Sequence, residues 1–227
     1  MEVNRSAEGI RVAQSDFGIE IVNNPRSLRE VFRLRYQVYC LERRFLSGRD
    51  GLETDSFDAV SRHILLRHRA SGRPIGTVRL VIPHLNGPGA QLPMEQLINP
   101  PRLQALPRSR IAEVSRFALS KELRAASASW GSLARLALIR GIVQISGCMR
   151  LTHWCALMEP KLLRLLGTSG IHFVPLAGLV NHHGLRQPSL AALSEMLGRV
   201  QREKPGVWNF ITDGGILWRE GLITDAA

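Results

Sequence analysis

The chain has 227 residues, 44% hydrophobic and 22% charged, with 30 Lys and Arg against 19 Asp and Glu for a formal net charge of +11. This composition supports a packed core and excludes a disordered or collagen-like chain. The most apolar stretch, Leu133 to Ile145, is interrupted by Arg135 and Arg140 and is too short to cross a bilayer.

Residues 1–24 read as an N-terminal extension, 25–213 as the folded domain and 214–227 as a C-terminal tail. Ser27 is placed as an N-cap, with Glu30 three residues on giving a capping-box pattern. The helix it opens is predicted to run to about Arg44. Leu28, Val31, Phe32, Val38 and Tyr39 fall on one face, and Arg35 shares that face. A charged side chain on a core-facing stripe needs a partner or a ligand. The polar stretch from Ser47 to Val60 ends in Glu53-Thr-Asp55-Ser-Phe-Asp58. Strands are predicted over His63–His68 and Ile75–Ile82, turned by Gly72 and Pro74. Alternation sets Arg79 on one face with Ile75, Thr77 and Val81. A Pro- and Gly-rich segment from Pro83 to Pro107 leads into a strand over Arg110–Leu119. A helix over Ser132–Ser146, a strand over Leu151–Leu157 and a short helix over Lys161–Leu166 follow. A strand over Ile171–Leu176, a helix over Leu190–Gln201 and a last strand over Val207–Ile211 complete the pattern. The order predicts one α/β (α+β) domain around a mixed sheet.

Four polar spots interrupt apolar elements: Arg35, the pair Asp55 and Asp58, Arg79, and Glu113 with Arg116. Singly, each also fits an ordinary structural residue: a capped carboxylate, a turn, a snorkelling edge arginine or solvent-facing strand positions. Together they supply three arginines and three carboxylates, which a buried and mutually compensated polar site requires.

Their order is Arg35, then Glu53-x-Asp55-x-x-Asp58, then Gly76-Thr-Val-Arg79-Leu, then Glu113-Val-Ser-Arg116-Phe117. This order resembles the acyl-homoserine-lactone synthases and N-acyl amino acid synthases. The segments FRLRYQVYCLERRFL, ETDSFDAVSRHILLRHRASGRPIGTVRLVIP, EVSRFALSK, THWCALMEPKLLRLLG and HHGLRQP further resemble the acyltransferases that accompany exosortase/PEP-CTERM systems. The resemblance covers roughly residues 27–190. It implies a fold like the GNAT N-acetyltransferases, with a mixed, twisted central sheet flanked by helices. It also implies attack of an amine on a thioester. Fold alone does not fix function.

That chemistry needs a base for the amine, donors for the developing oxyanion and a grip on the acceptor. Glu113 fits the base, with Arg116 beside it as a further catalytic candidate. Arg35, Arg79 or Arg116 would hold an acceptor carboxylate or a neighbouring aspartate. Asp55 and Asp58 would pair with these arginines or bind the acceptor amine, and Phe117 is a further substrate-binding candidate. Backbone N–H groups along 114–119, including those of Ser115 and Leu119, fit the oxyanion and pantetheine roles. In a regular strand Glu113 and Arg116 point to opposite faces, so either a β-bulge separates them or one of them faces away.

Coenzyme A-using members of this superfamily carry a glycine-rich phosphate loop after this strand. Here the matching text is Arg124-Ala-Ala-Ser127-Ala-Ser129, with Arg124 at the expected phosphate-facing position and both glycines missing. A Cβ there obstructs backbone approach to a pyrophosphate. Charge is uneven too: residues 102–186 hold 12 basic and 3 acidic groups, net +9. Both features favour acyl carrier protein, an acidic partner, as donor over free acyl-CoA. The acceptor is a small-molecule amine, such as an amino acid or homoserine-like compound, and no permanently bound cofactor is expected. A coenzyme A-dependent N-acetyltransferase is the alternative enzyme, and a nucleic-acid-binding protein the alternative class. The basic middle lacks a nucleic-acid-binding motif. His182 and His183 have no third ligand at metal spacing, so no metal is expected. Leu157, Met158 and Trp154 fit either an acyl tunnel or the core. Three cysteines without CxxC spacing, and a start without an apolar signal core, read as reduced thiols in the cytoplasm.

Overall fold

A computed structural model of the protein describes residues 16–87, 89–121 and 128–218. Strand β1 (Phe17–Ile21) lies at one edge of a sheet and continues through β2 (Ser61–His68), β3 (Pro74–Val81), β4 (Ile111–Leu119) and β5 (His153–Met158). Two short strands, β6 (Val174–Pro175) and β7 (Val180–Asn181), and the longer β8 (Leu185–Ala192) complete it, with β8 seated between β5 and β6 and pairing also with β7. Every pairing is antiparallel except that of β4 with β5. The longer helices among the described residues are α1 (Pro25–Arg35), α2 (Ala128–Cys148), α3 (Pro160–Gly167), α4 (Leu193–Glu203) and α5 (Pro205–Thr212). Among the described residues no helix is long and apolar enough to cross a membrane.

The period-2 alternation of the strands sends two sets of side chains to opposite faces. Ile64, Leu66, Val78, Leu80, Ala112, Val114, Trp154 and Ala156 join the main core with residues of α2, α4 and α5. On the other face Leu65 and Ala118 pack against Val31, Leu34 and Val38, while Ile111 and Cys155 meet Leu92, Met94 and Leu103. The buried polar residues Arg35, His63, Arg79 and Glu113 belong to this second face.

Several predicted boundaries shift. Asn24, not Ser27, caps α1: its side chain accepts from Ser27 N at 2.9 Å, and Pro25 takes the first position, where a missing N–H costs nothing. Ser27 is buried inside the first turn, and Glu30 instead accepts from Arg67 at 2.6 Å. After Arg35 the helix widens into a π-helical segment, Tyr36–Glu42. The strand expected over Ile171–Leu176 shrinks to Val174–Pro175. Leu190 to Ala192, expected to open a helix, end β8, and the helix starts at Leu193. Val207–Ile211 is helix α5, not a strand. A five-residue apolar run has no period to distinguish the two, and here Phe210 and Ile211 bury against the helical layer. β1 falls within residues 1–24, and Trp218, in the segment read as tail, is buried in the main core.

Candidate active site

The site is built around an irregularity in β4. Ala118 pairs with Thr77 and Ser115 pairs with Arg79, so Arg116 and Phe117 stand opposite Val78 alone. Arg116 occupies the left-handed region, φ 51°. Such a bulge adds one residue and reverses the alternation beyond it. Ala112 and Val114 face the main core before it, and Phe117 and Leu119 after it. Glu113, Ser115, Arg116 and Ala118 are thereby brought to the α1 face.

There Arg116 joins Arg35 and Arg79 in a cluster with Glu53, Asp55 and Asp58. Arg35, fully enclosed, donates through Nε to Glu53 and through Nη1 to Asp58 at 2.6 Å. Arg79 donates to Asp55, to Asp58 at 2.8 Å and to Ser115 Oγ at 3.0 Å. Arg116 grips Glu53 Oε1 through Nε at 3.0 Å and Nη2 at 2.9 Å, and reaches Asp55 at 2.8 Å. The formal charges sum to zero. Burial opposes ionisation of the three carboxylates, but the arginine hydrogen bonds and charges outweigh it. All three are held below the usual carboxylate range, Asp58 at about 2. Asp55 also caps the turn Ser56–Val60, accepting from Phe57 N at 2.9 Å, so the loop and the cluster are one unit. His63 lies 3.7 Å from Asp58, but burial and the adjacent Arg35 and Arg79 charges lower its pKa to about 4. It is a neutral neighbour and not an ion-pair partner.

Glu113 stands outside this cluster. Its Oε2 accepts from Met94 N at 2.8 Å. Burial pushes its pKa up to about 8, against the opposing Met94 hydrogen bond and Arg79 charge. It lies on the wall of a small cavity of about 130 Å³, shared with Tyr39, Met94, Ser115, Arg116 and Arg186.

β4 and β5 pair only from Ile111↔His153 to Val114↔Ala156. From Ser115 onward β4 and β5 no longer pair among the described residues, and a cavity of about 490 Å³ occupies the space between them. It is lined along β4 from Val114 to Leu119, by Leu157 and Met158 of β5, and by Leu162 and Leu165 of α3. At its edge Glu159 accepts from Arg43 at 2.7 Å and lies 3.6 Å from Arg186. Both guanidinium groups also stack on Phe45, 5.5 and 5.4 Å from the ring centroid.

The sequence-predicted residues Arg35, Asp55, Asp58, Arg79, Glu113 and Arg116 therefore converge on one face, and Ser115, Phe117 and Leu119 line the larger cavity. The cluster arginines are occupied by carboxylates, the aspartate-neighbour alternative of the sequence reading. Arg124 lies outside the described residues. The third carboxylate of the cluster is Glu53 and not Glu113. Glu53 was visible only as the first acid of its motif. Tyr39 was visible only as part of the apolar helical face, and Glu159 and Arg186 had no signal beyond their presence in the similar segments. Trp154 is enclosed in the core, donating to Ser146 Oγ at 2.8 Å, whereas Leu157 and Met158 do line the cavity. The rings of His182 and His183 meet edge to face, their centroids 4.5 Å apart, and among the described residues no group of three possible metal ligands occurs.

A mixed sheet whose parallel central pair opens around a cavity, next to a bulged strand, matches a known architecture. Residues 34–131 match the model of the acetyltransferase (GNAT) domain family. The protein has a GNAT fold. Among solved structures it is similar to the acyl-homoserine-lactone synthase LasI, with TM-score 0.60 and 18% identity over 77% of this chain and 88% of that one. It is similar to the CoA-dependent acyl-homoserine lactone synthase BjaI, solved with SAM and isopentyl-CoA, at 0.62 and 20% over 82% and 89%. The N-acyl amino acid synthase FeeM, from uncultured soil microbes, gives 0.59 and 17% over 81% and 93%. No curated protein matches the sequence. At these identities the likeness is one of fold.

Proposed function

We propose that the protein is an acyltransferase that moves a long acyl group from a thioester to the amine of a small acceptor, such as an amino acid or homoserine-like compound. The observation that carries this is the adjacency of two cavities along β4. The larger, between β4 and β5, has an apolar wall of Phe117, Leu119, Leu157, Met158, Leu162 and Leu165, and the smaller has Glu113 in its wall. In this reading the acyl-pantetheine arm lies in the opening between β4 and β5, and the amine sits by Glu113. The amine nitrogen attacks the thioester carbonyl carbon while Glu113, ionised, takes an amine proton directly or through water. The β4 edge beyond Val114, where pairing with β5 ends, supplies N–H donors for the oxyanion. Collapse breaks the C–S bond, the amide remains, and the thiolate leaves and is protonated. The neutralised cluster of Arg35, Arg79, Arg116 and three carboxylates fixes the loop 53–58 against β4 and so shapes the acceptor side.

Acyl carrier protein is the donor we favour over coenzyme A. The basic excess in residues 102–186 and the absence of glycine from 124–129 support it. The five segments similar to exosortase-associated acyltransferases support placing the protein among them. Mass spectrometry of lipid extracts from cells overproducing the protein, beside cells producing the Glu113→Gln variant, tests the reading. N-acyl amines confined to the wild-type extract are expected, and identical extracts overturn it.

A further inference from the structure

The cations around the larger cavity divide into matched and unmatched. Arg116 is neutralised by Glu53 and Asp55, and Arg43 and Arg186 both have a carboxylate partner, though they share the single one of Glu159. Arg135, on α2, is partly buried and lines the same cavity, yet among the described residues its one polar partner is Ser132 Oγ at 2.8 Å. Lys161, in the first turn of α3, lines the cavity too and has no ion pair among the described residues. Burial of Arg135 depresses its pKa. A partly desolvated guanidinium without a counterion is costly unless a ligand supplies the negative charge. Both residues sit on helices whose leucines, Leu133 and Leu162, pack against the main core. Neither residue lines the smaller cavity beside Glu113. The missing anion therefore belongs to the donor and not to the acceptor.

We propose that Arg135, assisted by Lys161, binds the phosphate group of a phosphopantetheine thioester donor. The inference rests on the acyl-transfer reading and adds the residues that recognise the donor. Phosphate oxygens match the fork of an arginine and the point charge of a lysine. The apolar wall of Phe117, Leu119, Leu162 and Leu165 suits the arm and acyl chain beyond it. The segment 124–129 has no glycine for a backbone phosphate cradle, so side-chain charge takes over that task. The same phosphate occurs in coenzyme A and in the prosthetic arm of a carrier protein.

The test compares octanoyl-pantetheine with octanoyl-phosphopantetheine, which differ only in the phosphate, using the full chain and one fixed mixture of amino acids as acceptor. Wild type should prefer the phosphorylated thioester in kcat/KM, mainly through KM. Arg135→Gln should reduce that preference ratio by about 10-fold or more, the scale of a hydrogen bond to a charged group. Lys161→Gln should reduce it less, and Arg135→Lys should restore part of it. The ratio is insensitive to partial loss of folded protein. An unchanged ratio in Arg135→Gln, or equal losses with both thioesters, overturns the proposal. Octanoyl-CoA and octanoyl-carrier protein form two further arms: a loss with both supports the shared phosphate, and a loss with coenzyme A alone assigns Arg135 to the nucleotide and overturns it. If wild type consumes no thioester, the acyl-transfer reading falls by itself. Calorimetric binding of phosphopantetheine against pantetheine then decides the phosphate site, with a preference lost in Arg135→Gln upholding it and no preference overturning it.

Discussion

Glu113 and Arg116 lie three residues apart on β4 and face the same side of the sheet, because the left-handed turn at Arg116 reverses the strand's alternation. Arg116 is thereby spent on Glu53 and Asp55, while Glu113 accepts no guanidinium hydrogen bond among the described residues. One strand thus delivers a neutralised structural charge and a carboxyl group with a raised pKa to adjoining positions.

For catalysis, Glu113→Gln should leave the fold intact and lower acyl transfer by about two orders of magnitude or more, the scale of general-base catalysis. With its pKa near 8, wild-type kcat/KM should climb between pH 6 and 9, and the Glu113 contribution to that limb should vanish in the variant. A pH-rate profile of the two proteins checks both points. Activity within a few-fold of wild type removes Glu113 from the mechanism.

The same residue makes a stability prediction with a definite sign. A carboxyl whose pKa rises from 4.5 unfolded to about 8 folded favours folding fully below pH 4.5. That contribution is lost as pH climbs through 8. The Glu113→Gln amide stays neutral and escapes the loss. Its melting temperature relative to wild type should therefore shift upward between pH 5 and pH 9, measured by calorimetry. A constant difference across that range refutes the neutral buried carboxyl.

Arg35 should be among the costliest arginines to truncate. Arg35→Ala leaves Glu53 to Arg116 and Asp58 to Arg79 and the cluster one positive charge short in a buried setting, where removing one partner of a pair costs up to about 3–5 kcal/mol. Denaturant titrations of double-mutant cycles should give coupling of at least about 1 kcal/mol with Glu53 and with Asp58. Coupling near zero with both would mean that the enclosed guanidinium is held by packing alone.

Acid should dissolve the cluster before it affects the rest of the core. Asp58 is depressed to about 2 from 3.8, so its stabilising contribution is complete above pH 3.8 and disappears as pH falls through 2. Asp58→Asn should cost stability at pH 6, and the gap to wild type should narrow steadily from pH 4 to pH 2. Urea midpoints at successive pH values measure it, and a gap independent of pH contradicts the assignment.

The choice of donor is open to a salt titration. Attraction between a basic surface and an acidic carrier protein is screened over about 8–10 Å at physiological ionic strength. The kcat/KM with an acyl-carrier-protein thioester should fall several-fold between 50 and 300 mM salt, roughly, and less with the matching coenzyme A thioester. Equal or better efficiency with the coenzyme A form at low salt rejects the carrier-protein donor.

Much of the site was legible because its residues break local rules. Arg35 on an apolar helical face, Arg79 in a strand and Glu113 among valine and isoleucine each advertise a buried partner. The partners themselves were less legible. Glu53, Asp55 and Asp58 form one short acidic segment, and nothing local ranks them. Glu53 became the innermost acid, 2% exposed, only because its backbone N–H bonds to Phe32 O, which docks it under the end of α1. β1, at one edge, and β8, between β5 and β6, were not predicted as strands for a related reason. Both are polar-apolar mixtures whose strand character comes from the neighbours they pair with.

The sequence by itself determined the element types with clear period, the two-faced sheet and the presence of a compensated arginine–carboxylate site, since hydrophobic periodicity and the cost of a buried charge are local facts. Only the tertiary structure decided the bulge that aligns Glu113 with Arg116, the end of β4–β5 pairing that leaves a cavity, and the helical state of Val207–Ile211. Each of these depends on register and on which surface a neighbour covers, and those are set by contacts between segments far apart in the chain.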